Sequence, residues 1–256
     1  MVTANVYAIV VLTQKVFLAV FVLAGIWQGR GGGFTQPEPI AFDDHAGWTS
    51  IFDGSSLKDW DGNLDIWRLE NGAIVGESTR EKPSGTTYML WKGGEPRNFE
   101  LKAEMKLEGD GLNSGIQYRS TRVPGDAATA KWNVKGYQFD FDFGGRYTGQ
   151  LYEQASPRGI IAWRGQVVRA EQGKRPRLLS TLGDPDELKS FIKTNEWNQV
   201  HIIARGNTLT HIVNGHVMSI FIDDDPSMAA AQGVIGLQIE GTGKVSFRNL
   251  WLKRLP

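Results

Sequence analysis

The sequence predicts an all-β protein, an antiparallel β-sandwich of the jelly-roll kind built around one hydrophobic core. From residue 48 onward, apolar residues recur at every second position, which is typical of strands with one buried and one exposed face. These runs are short and are separated by clusters of Gly, Asn, Asp and Pro, which favour turns. In a chain of 256 residues with 41% hydrophobic content, the strands can enclose one sizeable core.

The N-terminal region predicts export. Lys15 precedes an apolar run over residues 16–27, and the small residues Ala24 and Gly25 lie near the end of that run. The run is typical of the hydrophobic part of a signal peptide and is shorter than the roughly 20 residues of a membrane span. We therefore predict a signal peptide or an uncleaved N-terminal anchor over residues 1–28, and an exported protein that is periplasmic or extracellular.

A linker and a single domain are predicted for the rest of the chain. Residues 29–39 are rich in Gly and Pro, a composition that favours flexible segments. We place the linker at residues 29–46 and one jelly-roll domain at residues 47–256.

Two strands show the alternation most clearly. In residues 101–108, apolar positions alternate with Lys and Glu, so we expect the charged face to be solvated. In residues 137–143, Tyr and Phe alternate with Gln and Asp, so the aromatic side chains should face the core. Further β-rich runs cover residues 48–52, 73–76, 86–91, 114–119, 197–204, 233–240 and 244–252.

The strongest local prediction is a β-hairpin over residues 208–220. Asn214 and Gly215 separate its two strands, and this pair suits the positive φ angles of a two-residue type I′ turn. One short helix is predicted over residues 184–191, where Asp184 or Asp186 can accept hydrogen bonds from the first free backbone N–H groups.

Composition and motifs exclude several classes of function. Lys plus Arg and Asp plus Glu number 28 each, so no net field attracts nucleic acid or an anionic membrane surface. The chain has no Cys, which excludes disulfides, thiolate catalysis and Cys metal ligands. The sequence also lacks the motifs of phosphate loops, dinucleotide sites, nucleophile elbows and HExxH zinc sites.

Three strands carry polar residues that differ from those of a merely solvated sheet. Amides and carboxylates predominate, and these short, stiff groups suit directional hydrogen bonds to hydroxyl groups. By alternation, the side chains that should point away from the core are Gln117, Arg119, Gln138, Asp140, Asp142, Gln238 and Glu240. If the three strands are neighbours, these side chains line one polar concave face; otherwise the sheet is simply solvated.

Histidine and tryptophan residues give further candidates. His211 and His216 flank the Asn-Gly turn on one face of the hairpin, where they could act as metal ligands or as an acid/base pair. Trp132 and Trp163 lie in polar, loop-like surroundings and are the better candidates for sugar contact. The three aspartates before Pro226 favour a turn over a cation site, because they lack the ligand spacing and the glycine of a calcium loop.

A family resemblance rests on segments that occur in order along most of the domain. They are residues 50–54 with Leu57 and Trp60, then residues 113–119, 136–140, 148–153, 196–198, 211–215, 236–239 and 247–250. Together they resemble the 3-keto-disaccharide hydrolase family. The resemblance implies a concanavalin-like jelly roll, export from bacteria, and action on glycosides that are oxidised at the sugar 3-hydroxyl.

The resemblance also implies a reaction. A ketone at C3 acidifies the hydrogen on C2, so a base can remove it, and the aglycone can leave from C1 with help from an acid. Candidate catalytic residues are Asp140, Glu153 and His211, and candidate substrate-binding residues are Gln117, Arg119, Gln138, Arg158, Gln238 and Glu240. Many relatives carry His where this chain has Glu240, so a divalent cation is left open as the cofactor and no metal ligands are assigned.

Three hypotheses follow for the function. The first is an enzyme that hydrolyses 3-keto-glycosides or cleaves them by β-elimination, using general acid/base chemistry. The second is a noncatalytic carbohydrate-binding module of the cell envelope, since a jelly roll does not by itself imply catalysis. The third is a structural or adhesion domain held by an uncleaved leader. The expected partner is a small carbohydrate, with no nucleic acid and no membrane contact beyond that anchor.

Overall fold

The computed structural model describes residues 41–123 and 130–256. The predicted signal peptide or anchor and most of the predicted linker lie outside these residues, so they stay predictions. No helix in the described part of the chain is both long enough and apolar enough to cross a membrane.

Strands make up most of the described chain, which confirms the predicted fold class. In chain order they are β1 (Thr49–Ser50), β2 (Trp60–Asp61), β3 (Trp67–Glu70), β4 (Ala73–Ser78), β5 (Thr87–Trp91), β6 (Phe99–Arg122), β7 (Val134–Asp142), β8 (Leu151–Gln154), β9 (Gly159–Ala162), β10 (Gln166–Glu171), β11 (Arg177–Thr181), β12 (Asn198–Arg205), β13 (Thr208–Val213), β14 (His216–Asp224) and β15 (Val234–Arg254). A 3-10 turn at Ala130–Trp132 and one short helix, α1 (Pro185–Ser190), complete the described elements.

The strands form two layers because β6 and β15 are long enough to take part in both. In the first layer, the hydrogen-bonded order is β11-β10-β14-β13-β12-β6-β15-β4-β3, with β1 paired to β15. In the second layer, the order is β9-β8-β7-β6-β15-β5-β2. The described pairs are antiparallel except for β10 and β14, which run parallel.

The two long strands pass from one layer to the other at glycines. Gly109 on β6 and Gly241 on β15 have φ angles of 115° and 86°, which favour glycine. A Cβ atom on Gly241 would lie 2.1 Å from the carbonyl oxygen of Gly111, so a side chain there would push the paired strands apart. These glycines therefore let one continuous sheet fold over on itself.

The core lies between the two layers, where side chains from both meet. Tyr118 on β6 and Phe139 on β7 are fully buried and pack edge-on against His211 of β13. Tyr137 on β7 packs in the same way against Phe221 of β14, with ring centroids 6.3 Å apart. The predicted inward direction of the aromatic residues is confirmed.

The predicted hairpin turn and helix are confirmed as well. Asn214 and Gly215 have φ angles of 48° and 83° and connect β13 to β14. Asp184 caps α1 by accepting hydrogen bonds from the backbone N–H groups of Asp186 and Glu187. The period-two pattern did not predict the short strands β2, β3 and β8 to β11, which lie at the open edges of the two layers.

Lys102 corrects the prediction that the charged face of residues 101–108 is solvated. Its side chain is buried, and its Nζ donates hydrogen bonds of 2.9 Å to the carbonyl oxygens of Phe42 and Asp44. The ammonium also lies 4.6 Å from the ring centroid of Trp48. The packed part of the chain thus begins before residue 47, because residues 41–46 of the predicted linker cover Lys102.

Candidate functional site

A polar surface covers the outer side of the second layer, where β15, β6 and β7 lie side by side. Gly115 of β6 is the residue that brings the polar strands together, since it pairs with Asp140 on one side and with Gln238 on the other. A Cβ atom at Gly115 would lie 2.4 Å from the carbonyl oxygen of Phe139, so this position has no room for a side chain. The three strands are therefore neighbours, as the concave polar face requires.

This surface contains a cavity of about 330 Å³. Its lining residues are Asn113, Gln138, Asp140, Tyr147, Gln150, Tyr152, Gln154, Ile160, Gln238 and Glu240. Two carboxylates, five amides and two tyrosines therefore surround the cavity, and no Lys or Arg is found among its described lining residues. Such a lining suits a neutral ligand with many hydroxyl groups.

Asp140 is the most perturbed carboxyl group of this cavity. Its side chain is 4% exposed, and its oxygens accept hydrogen bonds from two neutral amides, Gln138 Nε2 and Gln150 Nε2. Burial raises the pKa of Asp140 to about 7, and the nearby charges of Asp142 and Glu240 act in the same direction. The two amide donors oppose this shift because they stabilise the ionised form. Asp140 can consequently take or give a proton near neutral pH.

A chain of amides fixes the position of Gln138. Gln117 Nε2 donates to Gln138 Oε1 at 2.5 Å, and Gln138 Nε2 is also 2.8 Å from Gln238 Oε1. The chain ends at Ser120, which donates to Gln117 Oε1, and at Tyr88, which accepts from Gln238 Nε2. Because each amide of the chain is oriented by its neighbour, the Gln138 donor that faces Asp140 is held in place before any ligand arrives.

Two polar atoms of the cavity have no hydrogen-bond partner in the described part of the chain. Asn113 Oδ1 and Gln150 Oε1 are buried and accept no hydrogen bond from the described residues. Buried polar atoms are usually paired, so these two oxygens are acceptors that a ligand can use.

Glu240 accepts a hydrogen bond from Asn113 Nδ2 at 3.3 Å. Burial, together with the charges of Asp140 and Glu240, raises the pKa of Tyr152, which keeps its hydroxyl protonated.

The first layer supports the cavity from below. His211 lies in the core, where its Nδ1 is 3.1 Å from the carbonyl oxygen of Gln150 and its Nε2 is 2.8 Å from the hydroxyl of Tyr118. Burial lowers the pKa of His211 to about 3, so the ring is neutral and donates from one nitrogen while it accepts at the other. Ser219 donates to the carbonyl oxygen of Gly149 at 2.8 Å. Together these contacts fix the turn that carries the Gln150 amide.

Glu153 and Arg158 do not lie with Asp140, contrary to the single site expected from the sequence. Glu153 points from β8 to the opposite side, and Arg158 Nε contacts its carboxylate at 2.6 Å. The same guanidinium contacts Asp223 at 2.9 Å, and Tyr137 donates its hydroxyl to Asp223. Burial alone would lower the pKa of Arg158, but the hydrogen bonds and charges of both carboxylates raise it. We call these four residues the Arg158 cluster.

The predicted position of Arg119 is wrong, and His211 does not reach the cavity. Arg119 has a φ angle of 45° at a point where the register of β6 and β7 shifts, so the alternation is broken there. Its guanidinium donates to the carbonyl oxygens of Arg97 and Gly206 at 2.8 Å each. His211 faces the core because it shares the inward side of β13 with Val213.

The cavity thus contains Gln138, Asp140, Gln238 and Glu240 from the predicted set, with Gln117 buried behind Gln138. The lining residues that were not predicted are Asn113, Tyr147, Gln150, Tyr152, Gln154 and Ile160. Asn113 shares the parity of Gln117 on β6, so the same alternation argument, extended by four positions, would have found it. Gln150 and Tyr152 alternate with Leu151 in the same way.

The described residues contain no cluster of side chains that could hold the metal ion left open by the sequence. No group of three or more His, Cys, Asp or Glu side chains converges in residues 41–123 and 130–256. His216 stacks on Phe191, with ring centroids 3.4 Å apart. Asp225 accepts hydrogen bonds from the backbone N–H and the hydroxyl of Ser227, as expected for a turn at Pro226.

A comparison with protein families matches most of the domain. Residues 47–253 match the family model described as the 3-keto-alpha-glucoside-1,2-lyase-like domain. No curated protein matches the chain.

Solved structures of similar fold include two proposed glycosyl hydrolases from Parabacteroides distasonis. One is 21% identical, with a TM-score of 0.52 over 81% of this chain and 99% of that one. The other is 18% identical, with a TM-score of 0.52 over 82% and 95%. A Bacillus subtilis protein with a galectin-like fold is 12% identical, with a TM-score of 0.52 over 81% and 94%. At these identities, the likeness shows a shared fold.

Proposed function

Because this chain belongs to the 3-keto-alpha-glucoside-1,2-lyase-like family, we propose that the Asp140 cavity cleaves the glycosidic bond of 3-keto-glycosides. The reaction is an elimination across C1 and C2, and addition of water to the product gives net hydrolysis. The observation that carries the proposal is Asp140 itself, a buried carboxyl group with a pKa of about 7 on the polar face of the sheet.

Asp140 is the base in this proposal. The 3-keto group makes the C2 hydrogen acidic, and the ionised carboxylate removes it as a proton, leaving an enolate that extends to the C3 oxygen. Amide N–H groups from Gln138 and Gln150 point at the two carboxylate oxygens and stabilise the form that accepts a proton. A base with a pKa near the working pH combines a sizeable ionised fraction with enough basicity to take the proton.

The second half of the reaction expels the aglycone. The electron pair of the enolate forms the C1–C2 double bond while the bond from C1 to the leaving oxygen breaks. The leaving oxygen accepts the proton that Asp140 has taken from C2, so Asp140 acts first as the base and then as the acid, while Glu240 stays a hydrogen-bond acceptor in the cavity. Since no Lys or Arg is found among the described lining residues, the enolate oxygen is expected to rely on neutral donors such as the Tyr152 hydroxyl.

Substrate binding is assigned to the free acceptors of the cavity. Asn113 Oδ1 and Gln150 Oε1 have no hydrogen-bond donor among the residues that the structure describes, so they can accept hydrogen bonds from sugar hydroxyl groups. Gln138 and Gln238 are committed to each other and to their neighbours, so they serve mainly to hold Asp140 and the floor of the cavity.

The test is turnover of 3-keto-disaccharides in deuterated water, with and without added divalent cations. We expect release of the aglycone sugar, and the 3-keto-glucose product should carry deuterium at C2, because the proton that Asp140 removes is replaced from solvent. An Asp140→Asn variant should lose both C2 exchange and release of the aglycone. Absence of turnover and of exchange under all conditions would contradict the proposal.

The noncatalytic carbohydrate-binding module is the alternative outcome of the same experiment. Disaccharide binding by the wild-type protein without any turnover, retained in Asp140→Asn, would favour it.

A further inference from the structure

Trp163 is the one exposed tryptophan among the described residues, and it lies beside the Asp140 cavity. Its side chain is 39% exposed, whereas the other described tryptophans are buried or half-buried. It borders a second cleft of about 340 Å³, together with Arg146, Gln166 and Thr181. An exposed indole in a cleft is a recurrent feature of ligand-contact surfaces, because a large apolar ring gains from being covered.

A tight turn holds Trp163 in this position. The backbone N–H of Gln166 donates to the carbonyl oxygen of Trp163 at 3.1 Å, and Gln166 Oε1 accepts from the N–H of Trp163 at 3.1 Å. Gly165 has a φ angle of 86°, which this turn requires. The backbone that presents the indole is therefore fixed by hydrogen bonds on both sides.

Tyr147 joins the second cleft to the Asp140 cavity. It lines the cavity, and its ring centroid is 6.1 Å from that of Trp163. The Arg146 guanidinium lies 5.2 Å from the same tyrosine ring. Arg164, buried beneath, donates to the carbonyl oxygens of Gly145 and Thr148 at 2.9 Å each, which ties the Trp163 turn to the loop that carries Tyr147.

We propose that Tyr147 and Trp163 form a platform for the leaving-group sugar of a disaccharide substrate. This inference rests on the proposed function, because it places the oxidised sugar at Asp140 and the second sugar across Tyr147. The ring faces supply apolar contact for sugar C–H groups, while Arg146 and Gln166 supply hydrogen-bonding groups for hydroxyls. That combination of aromatic and polar groups favours a sugar over a purely aromatic leaving group.

The experiment compares substrates that differ only in the leaving group. Steady-state rates are measured for an α-linked 3-keto-disaccharide, methyl 3-keto-glucoside and 4-nitrophenyl 3-keto-glucoside. The variants are Trp163→Ala, Trp163→Phe and, as a matched control, Leu178→Ala, which removes an exposed apolar side chain on β11 that does not line the cleft.

We expect Trp163→Ala to lower kcat/KM for the disaccharide roughly five- to tenfold, since aromatic contacts contribute about that much. The methyl glycoside should be unaffected, Trp163→Phe should retain most of the disaccharide activity, and Leu178→Ala should change nothing. Equal losses on the disaccharide and the methyl glycoside would overturn the platform, as would no loss on either. A loss confined to the 4-nitrophenyl substrate would overturn the assignment to a sugar.

A binding measurement separates this inference from the proposed function. The indole N–H signal of Trp163, identified by its loss in Trp163→Phe, is followed by NMR during titration with the unoxidised disaccharide and with methyl glucoside. A shift with the disaccharide alone supports the platform even if the protein turns over no 3-keto-glycoside. No shift with the disaccharide at saturating concentration contradicts it.

Discussion

Two groups of buried carboxylates lie on opposite faces of the second layer, and they differ in their partners. Asp140 is 4% exposed and is bonded to the neutral amides of Gln138 and Gln150. Glu153 and Asp223 are 5% and 4% exposed and share the guanidinium of Arg158. The carboxylates of the two groups are thus buried to about the same extent, but only Glu153 and Asp223 have a cation beside them.

A buried acid becomes reactive when no cation compensates for its burial. Burial disfavours a carboxylate, and a cation at hydrogen-bond distance restores it, whereas neutral donors restore it only in part. In the Arg158 cluster, one guanidinium lies within hydrogen-bond distance of both carboxylates and ties β8 to β14. At Asp140, the unmet cost of burial raises the pKa to about 7, which is the property that a general base needs.

The largest expected effect separates the two groups by activity. Asp140→Asn should lower turnover of 3-keto-glycosides by about 10²–10⁴-fold, the usual contribution of a positioned base. Glu153→Gln should leave turnover per folded molecule unchanged, because Glu153 does not line the cavity. Rates are compared after the folded fraction has been determined by circular dichroism. Equal losses of turnover in Asp140→Asn and Glu153→Gln would contradict the assignment of catalysis to Asp140 alone.

The next effect separates the two groups by stability. Arg158→Ala leaves Glu153 and Asp223 buried without their cation, which costs about 3–5 kcal/mol in the free energy of unfolding. Urea denaturation at pH 7 measures this loss. Arg169→Ala is the control, because its partner Asp224 is more exposed and the pair contributes little. A similar loss in both arginine variants would mean that burial of the pair is not the cause.

A third prediction concerns the pH dependence of stability. The pKa of Asp140 is about 7 in the folded protein, and its ordinary value is 3.8, so between these values the folded state binds a proton that the unfolded chain does not. The free energy of unfolding contributed by Asp140 therefore falls as the pH rises from about 4 to 7, by up to about 4 kcal/mol. Asp140→Asn should be more stable than the wild type at pH 8, and this advantage should shrink towards pH 4.

Denaturant titrations of both proteins at several pH values check this. A constant difference across that range would mean that the folded pKa of Asp140 is not raised.

The smallest expected effect concerns the support of the cavity. His211→Phe removes the donor to the Gln150 carbonyl and leaves the Tyr118 hydroxyl without its partner, which costs about 1–3 kcal/mol of stability. Because Gln150 orients Asp140, kcat should fall while KM changes little. Ser219→Ala, which removes the neighbouring bond to Gly149, should destabilise the protein less. If His211 contacts substrate instead, KM will rise sharply.

Alternation predicted the part of the site that lies on regular strands. Gln138, Asp140, Gln238 and Glu240 point outward because nothing interrupts the period of two along β7 and the first half of β15. The predicted direction of Arg119 is wrong because this residue has a positive φ angle at a register shift. Such a shift has no clear signature in the sequence. Glu153 and Arg158 lie on or beside short edge strands whose direction depends on their neighbours. The residue types alone could not show which carboxylates lie beside an arginine and which lie beside neutral amides.

The central claim is that Asp140, which is buried beside neutral amide donors, titrates near neutral pH. Carbon-13 NMR of protein labelled at the aspartate carboxyl groups measures this directly, and the Asp140 signal is identified by its absence in Asp140→Asn. We expect its midpoint at about pH 7. A midpoint for Asp140 near its ordinary value of 3.8 would contradict the account.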